Sequence, residues 1–112
     1  MFDFLTRKAK DATPPALPEG TVRRRYSIEG QVQGVGFRYY ARAAAQHLGL
    51  TGWVANNWDG SVTMEAQGER AALDELVPTI ERTNRWARIE NTETTELPLK
   101  EHEYGFSERS GE

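Results

Sequence analysis

The chain has no cysteine, so it carries neither a disulfide framework nor a thiolate metal site. Its only two histidines, His47 and His102, lie far apart in sequence and give no basis for a histidine metal cluster. An excess of positive charge is missing as well. Residues 1–80 hold nine basic and nine acidic side chains, and residues 81–112 hold five and eight, so the net charge of −3 is all C-terminal. Non-specific nucleic-acid binding normally needs a clear basic excess, and Arg23-Arg24-Arg25 is the one local exception. No apolar run approaches the ~20 residues of a membrane-spanning helix. The opening MFDFLTRKAK lacks the basic segment and following apolar stretch of a secretory signal. These absences fit a cytoplasmic chain and argue against a cysteine or histidine metal site, a nucleic-acid partner and membrane association; a monomer is the default.

With 112 residues, the chain suits one domain that can bury a core unaided. Residues 1–20 read as a flexible tail, because Pro14, Pro15 and Pro18 make TPPALPEG extended and Phe2, Phe4 and Leu5 are its only sizeable apolar residues before that. Residues 21–112 form the domain. From Val22 the pattern alternates: Val22, Tyr26, Ile28 and Val32 point one way, and Arg23, Arg25, Ser27 and Glu29 the other, onto a solvated face. A helix is predicted from Phe37 or Arg38 to Leu48, with Tyr40, Ala41, Ala44, Ala45 and Leu48 as its stripe and Gly49 as its stop. TGWVANN and SVTMEAQG read as two strands joined through Asp59-Gly60, a strong hairpin signal. Trp53 reads as core, and Trp58 as a residue that packs the turn or, alternatively, stands exposed near the site. Asp59 and Glu65 are explained by hairpin geometry and surface exposure rather than by acid–base work.

A second helix starts near Glu69 with Leu73, Leu76, Val77 and Ile80 on its buried face; Pro78 inside it predicts a kink or an early end. A fourth strand is expected over Trp86–Glu96, with an exposed edge, and a short fifth over His102–Ser107. The order β-α-β-β-α-β is an α+β, ferredoxin-like sandwich: an antiparallel sheet with two helices on one face and a short extra C-terminal strand. A right-handed crossover makes the first two strands parallel, with another strand between them. The loop after strand one and Asn56 near the end of strand two then converge at one edge of the sheet, about 10 Å apart.

That loop, within GQVQGVGFRYYAR, suits an anion. Gly34 and Gly36 tolerate positive φ, so successive N–H groups can turn inward. The following helix directs its N-terminal amides to the same point, and Arg38 in its first turn adds a planar, charged fork. The spacing is neither a P-loop nor a dinucleotide fingerprint.

GQVQGVGFR, followed by LGLTGWVANNWDGSV and AQG, resembles the acylphosphatase family over about Val22 to Phe106. The resemblance implies a small cytosolic hydrolase of acyl phosphates with a ferredoxin-like fold and no metal or cofactor. By matching, Arg38 binds the phosphate, Asn56 positions the attacking water, and Gln33, Gly34, Val35, Gly36 and Phe37 complete the phosphate cradle. The chain departs from the family pattern in residues 1–20, at Pro78, in ERTNRWA, which lacks the usual Gly-Pro, and in the closing HEYGFSERS.

The chemistry fits a site of this kind. An acyl phosphate expels a carboxylate, whose conjugate acid has a pKa of ~4, so it leaves without a proton. Positioning and charge stabilisation then suffice, and an asparagine amide can fix a water although it is no base. Two alternatives stand beside this reading. One is a catalytically weak acylphosphatase-like module that only binds anions. The other is an RNA-binding ferredoxin-like domain, which the Arg, Ser and acidic residues on the open face of the sheet disfavour.

Overall fold

In the computed structural model residues 17–110 are described. The proposed tail, including Phe2, Phe4 and Leu5, falls almost wholly outside them. The elements are β1 (Thr21–Gln31), α1 (Phe37–His47), β2 (Thr51–Asn56), β3 (Val62–Glu69), α2 (Arg70–Thr83), β4 (Arg88–Leu97) and β5 (Phe106–Arg109). The sheet order is β4-β1-β3-β2-β5. The first four strands pair antiparallel to their neighbours, and β5 adds parallel to β2, giving a mixed sheet. This is the ferredoxin-like sandwich expected from the alternation of strand and helix patterns.

The core lies between the sheet and the two helices. Tyr26, Ile28 and Val32 from β1 and its exit meet Val54, Val62 and Met64 from β2 and β3, Phe37, Ala41 and Ala45 from α1, and Leu73, Leu76 and Ile80 from α2. Small alanines on α1 let that helix approach closely, while the Tyr26 hydroxyl satisfies itself by donating to the Leu73 carbonyl at 2.8 Å. Among the described residues no helix is long and apolar enough to cross a membrane.

Several expectations need correction. Pro78 does not end α2, which runs on to Thr83. Leu76, Thr79 and Ile80 are buried on both sides of the proline, whereas Asp74 and Pro78 are exposed. Packing therefore holds the helix together, and the carbonyl that loses its donor lies on the solvent side. The fifth strand begins at Phe106 rather than His102, because His102 (φ 63°) and Gly105 (φ 74°) are left-handed and cannot continue a ladder. The fourth begins at Arg88, two residues late, since the Trp86 N–H is taken by the Asn84 side chain.

Of the two arginines expected on a solvated face, Arg25 is exposed there but Arg23 is not. Arg23 is buried at 2% exposure on the helix-free side of the sheet, where its guanidinium donates to Glu65 (2.9 and 3.1 Å), Glu103 (2.8 and 3.1 Å) and Gln67 (3.3 Å). Arg24 pairs with Asp74 of α2 at 2.9 Å, and Arg25 reaches the other Glu65 oxygen at 3.1 Å. Glu65 is thus held in an ion-pair network rather than exposed on a hairpin surface. Trp53 is buried, yet it stands opposite Glu65 on this same helix-free face, apart from the main core, with the Arg109 guanidinium 4.6 Å above its ring. The Trp58 ring is 94% exposed and packs no turn.

Candidate active site

The site forms where β1 and β2 end at one edge of the sheet, with β3 between them. The chain leaves β1 through Val32, whose side chain is fully buried, and enters a loop anchored at both ends. On the outer side, the Gln33 amide donates to the carbonyls of Asn57 (2.6 Å) and Ser61 (2.9 Å), tying the loop to the β2–β3 turn. That turn is itself closed by Asn57 N–H to Ser61 at 2.8 Å and by the Asp59 carboxylate, which accepts from the Ser61 backbone and hydroxyl. The hydrogen bonds from Ser61 hold the Asp59 carboxyl below its ordinary range. Asp59 is therefore a turn-forming residue, as its place before Gly60 predicts.

Gly34 and Gly36 stand at φ 76° and 78°, left-handed values that cost a side-chain-bearing residue about 1 kcal/mol or more. Among the described residues the N–H groups of Gly34, Val35 and Gly36 donate to no backbone carbonyl. The chain then turns directly into α1: Gly36 is its N-cap, no side chain caps it, and its carbonyl accepts the first helical bond from Tyr40. Uncapped first-turn amides and the helix dipole make this end attractive to an anion.

A cleft of about 180 Å³ opens here, lined by Val32, Gly34, Gly36, Phe37, Arg38, Tyr39, Asn56 and Glu108. Arg38 is half-buried, and its Nη1 donates to the Arg109 carbonyl at the end of β5, 2.8 Å away. No carboxylate among the described residues is within ion-pair distance of it. The one carboxylate lining the cleft, Glu108, is paired with Arg42 of α1 at 3.4 Å. Asn56 closes the cleft from β2. Its Oδ1 is shut off from bulk solvent and has no hydrogen-bond partner, the one such side-chain atom among the described residues.

Five of the seven residues singled out in the sequence thus meet around one cavity: Gly34, Gly36, Phe37, Arg38 and Asn56. Gln33 and Val35 belong to the same loop but do not line it. The Gln33 side chain braces the loop from outside, and Val35 packs toward the core. Sequence reasoning missed the Arg109 carbonyl, Glu108 and Asn84, whose side chain donates to the Val35 carbonyl. Arg109 and Glu108 sit in a short edge strand without a hydrophobic run of its own. Asn84 reads in sequence as no more than a helix-end residue.

The fold is a small α+β sandwich with a cleft at its sheet edge, where a glycine loop feeding a helix N-terminus, the Arg38 guanidinium and the Asn56 side chain meet. The sequence profile of the acylphosphatase family matches residues 24–108, and the chain belongs to that family. It is 42% identical to an acylphosphatase of Koribacter versatilis over 88 residues, which span 74% of this chain and 80% of that one. Among solved structures, an acylphosphatase from Bacillus subtilis superposes with a TM-score of 0.73 at 33% identity, covering 79% of this chain and 98% of the other. One from Coxiella burnetii gives 0.74 at 31% identity, covering 81% and 95%.

Proposed function

We propose that the chain hydrolyses the carboxyl–phosphate bond of small acyl phosphates, releasing a carboxylate and inorganic phosphate, with Arg38 and the 33–38 loop binding phosphate and Asn56 positioning water. The observation that carries this reading is the convergence of Arg38, Gly36 and Asn56 around one small cleft, with the Asn56 Oδ1 buried there without a partner. A buried orphan acceptor calls for an explanation, because leaving it unpaired costs about 1–3 kcal/mol. A small rotation of the Asn56 amide toward the cleft would let a water donate to Oδ1, and the same hydrogen bond leaves a water lone pair free to attack phosphorus.

The phosphoryl oxygens lie against the N–H groups of the loop and the first turn of α1, with the Arg38 guanidinium providing charge-assisted bonds. As the water oxygen bonds to phosphorus, the bond from phosphorus to the carboxyl oxygen breaks and its electron pair leaves on the carboxylate. The water's second proton ends on the phosphate or in solvent. Charge on the transferring group is stabilised by donors already in place, which is where most of the rate comes from in such reactions. The cleft is small, about 180 Å³, which supports a small-molecule substrate recognised by its phosphoryl head. Action in the cytoplasm as a monomer accords with this reading.

Purified protein assayed with benzoyl phosphate and with a panel of alkyl phosphate esters tests the proposal. Hydrolysis of the acyl phosphate with little or none of the esters is expected. Binding of inorganic phosphate without turnover of any acyl phosphate would leave only the weak anion-binding module.

A further inference from the structure

Asn84 follows α2 as its C-cap, 49 residues from the loop it touches, and is 1% exposed. Both ends of its side-chain amide are used. Nδ2 donates to the Val35 carbonyl at 3.1 Å, and Oδ1 accepts from the Trp86 N–H at 3.1 Å. The two partners have opposite demands, so the orientation of the amide is fixed: exchanging its oxygen and nitrogen would set acceptor against acceptor and donor against donor. Its backbone is held as well, with its N–H donating to the Ile80 carbonyl at 2.8 Å. Asn84 is therefore a rigid post behind the loop.

We infer that Asn84 is a positioning residue of the anion cradle: by holding the Val35 carbonyl from behind, it turns the Gly36 N–H into the cleft. This rests on the anion-binding reading of the loop. The peptide between Val35 and Gly36 is trans, so its C=O and N–H point in opposite directions. Gly34 and Gly36 line the cleft, whereas Val35 does not: its side chain packs against the core and its carbonyl meets Asn84. A carbonyl drawn to that side sends the N–H of the same peptide the other way.

The choice matters because a glycine at position 36 leaves both orientations of this peptide sterically open. Rotated by half a turn, it would place a carbonyl oxygen where the phosphate is to sit, replacing an attractive dipole with a repulsive one. The glycine supplies the freedom, and Asn84 removes it in favour of the donor. Flipping this peptide would carry the Gly36 φ to the negative side, so the observed 78° marks the orientation in which Asn84 holds the Val35 carbonyl.

The test is an amide titration of the full chain with inorganic phosphate, followed by nitrogen–proton correlation spectra. In the wild type the Gly36 N–H should be among the amides that move furthest downfield as phosphate saturates the site. Asn84→Ala and Asn84→Asp, the second keeping the acceptor for Trp86 but losing the donor to Val35, should weaken phosphate by roughly tenfold, the worth of one charge-assisted hydrogen bond. They should abolish the Gly36 shift while Gly34 still responds. A merely structural Asn84 would lower the melting temperature without singling out Gly36. If phosphate moves no amide of residues 33–38, the anion reading fails and this inference with it. If the wild-type loop responds but Gly36 does not, or a folded Asn84 variant keeps both wild-type affinity and the Gly36 shift, the role of Asn84 alone is overturned. The wild-type titration decides even where a variant does not fold.

Discussion

Two arginines on opposite sides of the sheet make different use of the same side chain. Arg23 is buried and gives its guanidinium to two carboxylates and an amide, all within 3.3 Å. Arg38 is half-buried and gives one N–H to a backbone carbonyl. Burial tends to discharge Arg23, but the hydrogen bonds and charges of Glu103 and Glu65 more than offset it, so its pKa is raised overall. Its charge is consumed within the fold. Arg38 is held by a neutral group, which fixes the guanidinium without neutralising it, and Glu108, the one carboxylate among the described residues lining the same cleft, is occupied by Arg42. An arginine is available to a ligand when the fold orients it through a carbonyl rather than a carboxylate.

Substitutions can break this contrast. The largest effect is expected at Arg38: Arg38→Ala should lower kcat/KM for benzoyl phosphate by ~10³-fold or more, as loss of a charge-stabilising arginine does elsewhere in phosphoryl transfer. Arg38→Lys should stay poor, because an ammonium does not reproduce the planar fork. Neither should shift thermal unfolding appreciably, and near-normal turnover by the lysine variant would show that the fork is not what the site uses. Next comes Asn56→Ala, for which kcat should fall ~10²–10³-fold, judged from oxyanion-hole donors, with phosphate affinity nearly unchanged. Since its Oδ1 has no partner to lose, unfolding measurements should find this variant as stable as the wild type or slightly more so. A loss of phosphate affinity with kcat intact would make Asn56 a binding residue.

Arg23→Met should behave in the opposite way. Leaving Glu103 without its arginine, and Glu65 with Arg25 alone, should cost about 2–3 kcal/mol in denaturant unfolding, at the lower end for broken buried pairs because both carboxylates retain some water and Glu65 keeps one partner. The kcat of the folded fraction should not change. The smallest effect is at Glu103. Burial pushes its carboxyl up, while the bonds from Arg23 and Thr51 and the charges of Arg23 and Lys100 bring it below the usual carboxylate range overall. Its contribution is therefore complete at neutral pH and is lost as pH falls through the depressed value. Glu103→Gln should cost about 1 kcal/mol at pH 7, and the gap between variant and wild type should close in acid. A gap that widened in acid would reverse the assignment.

Much of this was legible before any coordinates. Period-two and period-3.6 patterns located both helices and the first three strands, because each buries one face and each is punctuated by glycine or a turn. The convergence of Arg38 and Asn56 followed from crossover handedness alone. Long-range polar choices were not legible. Nothing local distinguishes Arg23 from Arg25, since its burial depends on Glu103, which arrives 80 residues later. Trp53 reads as core from its size and neighbours, and only the register opposite Glu65 shows which face it covers. Pro78 allows a kink or an early end, and local propensity alone does not show that Leu76 and Ile80 pack across it and carry the helix on to Thr83.

The bond from Arg38 to Arg109 spans 71 residues. The cost of closing a chain segment grows with its length, and contacts of this separation form only after the strands that carry them have docked. The helix that bears Arg38 is local and can form early, but its guanidinium stays unanchored until β5 has laid itself beside β2. During refolding, helical circular dichroism should therefore return before turnover does. Catalytic competence becomes a clock for the final strand's arrival.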